Sequence, residues 1–179
     1  SPDLPNWLSI DPNTGVISGT PPADASQGGV NADGEYVVTI TANDGDETVS
    51  TTVTYQITNP APVVDVATPD QVAVDSDVIS IPTNVSDPDG DTLTYTVSGL
   101  PSGLSIDPNT GEISGTLDNS ASQGGPNSDG IYTITVTADD GEGGTVAQSF
   151  ELTVTNPAPI AVDDVDTIDE DGITTGNVI

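Results

Sequence analysis

The chain has 179 residues, with 29 Asp plus Glu, no Lys, no Arg and no His, for a formal net charge of -29. That balance excludes a nucleic-acid partner, which needs cationic contacts to phosphate, and a cationic membrane-surface patch. It leaves only carboxylates, hydroxyls and tyrosines for catalysis, and there is no Cys to staple the fold.

The elements are read from a period of two. Residues 4–19, LPNWLSIDPNTGVISG, hold two short apolar segments around an Asp-Pro turn that Asp11 starts. A polar loop, 23–34, precedes a strand in which Tyr36, Val38, Ile40 and Ala42 share one face. Val53, Tyr55 and Ile57 mark the next strand, and the proline-rich TNPAP of 58–62 then stiffens a short linker. Leu93, Tyr95 and Val97 alternate with Thr94 and Thr96 in a strand expected over 92–97. LPSGLSIDPNTGEISG at 100–115 repeats 4–19 at an offset of 96, with Gly103 in place of Trp7. A polar loop at 119–130 follows. Tyr132, Ile134, Val136 and Ala138 then face one way, and Phe150, Leu152 and Val154 form the last strand before TNPAP recurs at 155–159. Threonine lines the opposite faces, which suits half-buried antiparallel strands. No segment carries a helical apolar stripe or a membrane span, so the fold class is all-β.

A repeat of about 96 residues is the size of an immunoglobulin-like sandwich. The expected division is 1–60, the later part of a first unit; 61–157, a complete unit; and 158–179, the start of a third. The partial first unit is expected to expose strand edges, which the C-terminal segment of this or a neighbouring chain would cover.

The chemistry concentrates in acidic turns. Asp87-Pro-Asp89-Gly-Asp91 places three carboxylates at alternate positions of a tight turn, and Asp139 and Asp140 end the Tyr132 strand. By itself the first is equally a plain turn or a cation loop. If both lie at one end of the sandwich near the linker residue Asn59, five carboxylates meet with no internal base to offset them. Two unit charges 4 Å apart repel by about 1 kcal/mol in water and about 4 at an effective dielectric of 20. A hard cation with six to eight oxygen ligands, Ca²⁺ in preference to Mg²⁺, relieves this. Trp7 reads as a core or edge filler, Asp107 as a turn starter, and Asp163 to Asp171 as a solvated acidic run.

SDPDGDTLTYTV resembles the cadherin segment in which paired Asp residues precede a Tyr-containing strand. Ala138-x-Asp140 resembles the cadherin Ala-x-Asp motif, and Asn59-Pro-Ala-Pro and Asn156-Pro-Ala-Pro resemble a shortened cadherin linker. With IDPNTGxI and ISGTP, the chain is similar to the bacterial cadherin-like and immunoglobulin-like (He_PIG-type) repeats of large surface adhesins, including the RTX type. That resemblance implies tandem antiparallel β-sandwiches with calcium at the junctions. Its ligands would be Asp87, Asp89, Asp91, Asp139, Asp140 and Asn59, with Asp44 in the first unit's own incomplete site. Asp75 and Glu170 would be early acidic ligands facing the following linker, and Asn156 the next linker ligand. The linker lacks the cadherin acidic residues, so one calcium or two per junction is expected. The implied role is a non-enzymatic, calcium-rigidified extender of a secreted cell-surface adhesin. Its partners would be neighbouring repeats and other surface proteins or glycans. The alternative is a calcium-dependent carbohydrate- or protein-binding module, in an adhesin or beside a polysaccharide-active enzyme.

Overall fold

The computed structural model describes residues 4–160. Two antiparallel ladders occupy its first part. β1 (Leu8–Ile10) pairs β2 (Ile17–Gly19), and β3 (Glu35–Asn43) pairs β4 (Thr48–Gln56) over nine rungs from Glu35↔Gln56 to Asn43↔Thr48. Between them the loop 23–34 folds into a 3₁₀ turn, Ala23–Gln27, that buries Ala25. Leu8, Ala25 and Val38 are the buried apolar residues here. Trp7 stacks edge-on against Tyr36, ring centroids 5.3 Å apart, which bears out its reading as a filler. Among the described residues neither ladder acquires a third strand.

The remaining strands build a sandwich. β5 (Val63–Val66) pairs β8 (Asn84–Ser86) through a bulge. β6 (Gln71–Val74), β9 (Thr94–Ser98), β12 (Ile131–Asp139) and β13 (Thr145–Thr155) form one sheet in the order β6-β13-β12-β9. β7 (Val78–Ile81), β10 (Leu104–Ile106) and β11 (Ile113–Thr116) form the other, ordered β10-β11-β7. β6 runs parallel to β13, with Leu152 opposite Gln71 and Thr155 opposite Val74; the other pairings in these two sheets are antiparallel. The strand expected over 92–97 starts at Thr94, because Asp91–Leu93 still belong to the acidic turn.

The core lies between the sheets and follows the alternation in the sequence. Ile134, Val136, Leu152 and Val154 point inward and are at most 2% exposed, while the preceding residues Thr133 and Glu151 face solvent. Ile113 and Leu117 close the core from the other sheet. Tyr132 donates its hydroxyl to the carbonyl of Ala121 at 2.7 Å, which seats the 3₁₀ turn Ala121–Gln123 on the sheet. Tyr36 makes the same bond to Ala25 at 2.9 Å. The repeat in sequence is thus a repeat in contacts.

Candidate metal centre

The turn between β8 and β9 is shaped by one carboxylate oxygen. Asp87 Oδ1 accepts the backbone N–H groups of Asp89, Gly90 and Asp91 at 3.1, 3.1 and 3.2 Å. Gly90 completes the turn at φ +92°, a conformation that favours glycine. The chain therefore brings three acidic side chains to one point, with one oxygen of each within 4.8 Å of the others. Asp87 Oδ2, Asp89 Oδ1 and Asp91 Oδ2 are all buried and have no hydrogen-bond partner.

These groups perturb one another. A hydrogen bond between the side chains of Asp87 and Asp89 lowers Asp87 and, with desolvation and the charge of Asp91, pushes Asp89 up to about 6. Desolvation raises Asp91, helped by the charges of Glu142, Asp87, Asp140 and Asp24. The groups acting on Asp91 come from three places: its own turn, the β12–β13 turn and the 3₁₀ turn Ala23–Gln27.

The β12–β13 turn is held by Asp140, which is 5% exposed. Its Oδ1 accepts the N–H groups of Glu142 and Gly144 at 2.7 and 2.9 Å. Its Oδ2 accepts the side-chain N–H of Asn59, in the linker, at 2.8 Å. Asn59 Oδ1 is then a fourth buried oxygen without a partner. Glu142, from the same turn, accepts the hydroxyl hydrogen bond of Ser26 at 2.9 Å. A cleft of about 540 Å³ opens beside this joint, with Ser26, Asp33, Gln56, Asn59 and Glu142 among its lining residues.

Three carboxylates at one point, each with a buried oxygen that has no partner, and no internal base match the donor chemistry of a hard, oxygen-seeking divalent ion.

The other sequence-derived candidates lie in different surroundings. Asp139 is exposed and bonds the N–H of Gly141 at 2.7 Å. Asp44 is exposed, and the backbone N–H groups of Glu47 and Asp46 lower it. Asp75 is buried, and both its oxygens are taken by Ser122, from N–H at 2.7 Å and from the hydroxyl at 2.6 Å. Asn156 is exposed just beyond β13. Glu170 lies outside the described residues. Glu142 and Asp24 were not legible as site residues: Glu142 sits where an inserted residue breaks the repeat, and Asp24 comes from a polar loop with no acidic pattern.

A family model described as "Putative Ig domain" matches residues 1–59 and 61–155. Curated relatives are serine-rich adhesins for platelets from Staphylococcus aureus. That of strain MRSA252 is 33% identical over 155 residues, 85% of this chain and 10% of the relative. That of strain MW2 is 33% identical over 155 residues, 85% of this chain and 6% of the relative. The chain spans a tenth or less of the length of these relatives. Among solved structures, Drosophila N-cadherin EC1-4 matches 83% of this chain and 38% of its own at 17% identity and a TM-score of 0.44. The human desmocollin-1 ectodomain matches 92% of this chain and 34% of its own at 18% identity and a TM-score of 0.41. An endo-fucoidan hydrolase of glycoside hydrolase family 107 matches 86% of this chain and 23% of its own at 22% identity and a TM-score of 0.40.

Proposed function

The chain belongs to the Ig-domain family whose model matches it, and on that premise we propose that it is a non-enzymatic extender segment of a secreted cell-surface adhesin, with calcium stiffening the joint between consecutive sandwiches. The units are 1–60, 61–157 and the start of another at 158–179. The observation that carries this reading is the convergence of Asp87, Asp89 and Asp91, each with a buried, partnerless oxygen, together with the partnerless oxygen of the linker residue Asn59 that Asp140 holds.

Asp87, Asp89, Asp91 and Asn59 hold the ion in this reading. Asp140 positions Asn59, and Glu142 is a further acidic group within reach of Asp91's field. Asp139, Asp44, Asp75, Asn156 and Glu170 belong to turns and neighbouring junctions. The bound ion supplies the positive charge that the composition withholds. Linker, β8–β9 turn and β12–β13 turn then share one ligand set, and bending at the joint costs coordination. Extracellular calcium modules bind at about 10⁻⁴–10⁻³ M, a range that suits a cell surface. The partners are neighbouring repeats, with surface proteins or glycans met elsewhere on the adhesin. Among the described residues no helix is long and apolar enough to cross a membrane.

Thermal unfolding with calcium, with magnesium and with chelator tests the reading. Calcium is expected to raise the midpoint more than magnesium does. Equal midpoints in all three would remove the calcium joint and leave a plain spacer.

A further inference from the structure

The joint holds a contact between the two units that needs no ion. Glu142 Oε2, in the β12–β13 turn of the second unit, accepts the hydroxyl hydrogen bond of Ser26 at 2.9 Å across 116 residues of sequence. Both side chains are half-buried. Asn59 ties only the linker to this turn, whereas Ser26 lies on the 3₁₀ turn Ala23–Gln27 of the first unit itself. The contact originates in the residue that breaks the repeat. β3 and β4 close at Asn43↔Thr48 around residues 44–47, while β12 and β13 close at Asp139↔Thr145 around 140–144, one residue more. In the shorter turn the Asp44 N–H donates to the carbonyl of Glu47; in the longer one the Asp140 N–H donates to that of Gly144. Gly144 lies against Ala61 of the linker. The longer turn therefore leans on the linker, buries Asp140 where its counterpart Asp44 is exposed, and carries Glu142 to Ser26.

An attractive contact matters at this place. Asp24, Asp140 and Glu142 all act on Asp91 through their charges, and the chain has no base to offset them. Without an ion these groups push the units apart. A hydroxyl donating to a carboxylate attracts with no counter-ion, and more strongly than a bond between neutral groups does. We propose that the Ser26–Glu142 bond is an ion-independent latch, which keeps the two units aligned in the absence of calcium and so presents the acidic turns to an arriving ion already in place. The second half of this statement rests on the calcium reading of the joint; the latch does not. Alignment ahead of binding spares the affinity otherwise lost to joints that point elsewhere. Loss of the bond is expected to shift the ratio of aligned to open joints by about three- to tenfold.

The test measures the distance between units directly. The chain has no Cys, so Thr52→Cys and Thr133→Cys, exposed on β4 and β12, place one spin label on each unit. Pulsed dipolar spectroscopy of the whole chain in chelator is expected to give one narrow distance distribution. Ser26→Ala and Glu142→Ala should each broaden it, and the two together no further than either alone, because both remove the same bond. Deleting Gly143, which restores the turn length of the first unit, should broaden it as well. Ser26→Ala alone decides the matter if the turn variants do not fold. A broad distribution in the chelated parent, an unchanged one in Ser26→Ala, or additive broadening in the double variant overturns the latch. Calcium is then added to Ser26→Ala. Renewed narrowing supports both halves of the proposal. No response to calcium, with Ser26→Ala still broader than the parent, removes the ion from the joint and leaves the latch standing.

Discussion

Asn59 Nδ2 donates to Asp140 Oδ2 at 2.8 Å across 81 residues of sequence, which ties the linker to the β12–β13 turn. The bond fixes which end of the amide faces Asp140 and leaves the carbonyl end, Oδ1, buried and unpaired. In the proposed joint, an asparagine held in this way would offer an oxygen oriented before any ion arrives.

Calcium should stabilise the chain by mass action. With free calcium ten to a hundred times above the dissociation constant, the gain is about 1.4 to 2.7 kcal/mol. Asp87→Asn together with Asp89→Asn is expected to abolish that gain while leaving the chelated protein folded. Calorimetric melts of both proteins across a calcium series check this; an unchanged calcium response in the double variant would separate the ion from these side chains.

Acid should stabilise the ion-free protein. Asp89 is raised from 3.8 to about 6, so between those values the folded state binds a proton that the unfolded state does not. Stability is therefore greatest below the lower value and is lost as pH rises through the higher one. Asp91 shifts in the same direction, whereas the lowered Asp87 acts oppositely, losing its contribution as pH falls below the ordinary carboxylate range. Melting midpoints taken in chelator between pH 4 and pH 7 are expected to decline. Asp89→Asn should flatten part of that decline, and saturating calcium should flatten it in the wild type. An identical slope in Asp89→Asn would show that it comes from the overall negative charge instead.

Gly144 is a steric test of the joint. A Cβ there would collide with the Asp140 carboxylate and stand 2.8 Å from Ala61 Cα in the linker. Gly144→Ala is expected to cost about 1–3 kcal/mol, as overpacking does, and to weaken calcium binding by displacing Asp140 from Asn59. Calcium titration calorimetry of the variant, beside its denaturant curve, measures both effects. Gly141→Ala has open space around its Cβ; its penalty comes from its φ of +78° and should leave the Asn59–Asp140 contact in place.

The sandwich itself should respond to core truncation independently of calcium. Ile134 is fully buried, and Ile134→Ala is expected to cost about 2–5 kcal/mol. Tyr132→Phe removes one of two donors to the carbonyl of Ala121, which keeps the Gly124 N–H, and should cost about 0.5–1.5 kcal/mol. Urea unfolding of each, with and without calcium, should give the same loss in both conditions.

The strands were legible because period two states which face is buried, and Tyr132, Ile134, Val136 and Ala138 are all in the core as that pattern requires. The Asp87–Asp91 turn was legible because local spacing alone brings its three carboxylates together. Asp75 shows the limit of such reading. The resemblance named it as an early acidic ligand; the 3₁₀ turn delivers Ser122 to both its oxygens, and no local pattern announces a partner 47 residues away. Ser26 makes the point again from the first unit. It is the counterpart of Ser122, and here its hydroxyl serves Glu142. Equivalent residues acquire different partners when the surrounding strands differ.

The parallel register of β6 on β13 has a mechanical consequence. β6 follows β5 near the start of this unit and β13 ends it, the two running in the same direction, so tension applied across the unit slides them past each other lengthwise. The rungs from Gln71↔Leu152 to Val74↔Thr155 must then give way together, where an antiparallel pair pulled from one end would unzip one bond at a time. A tether assembled from such units holds its length until the load exceeds the strength of the whole ladder.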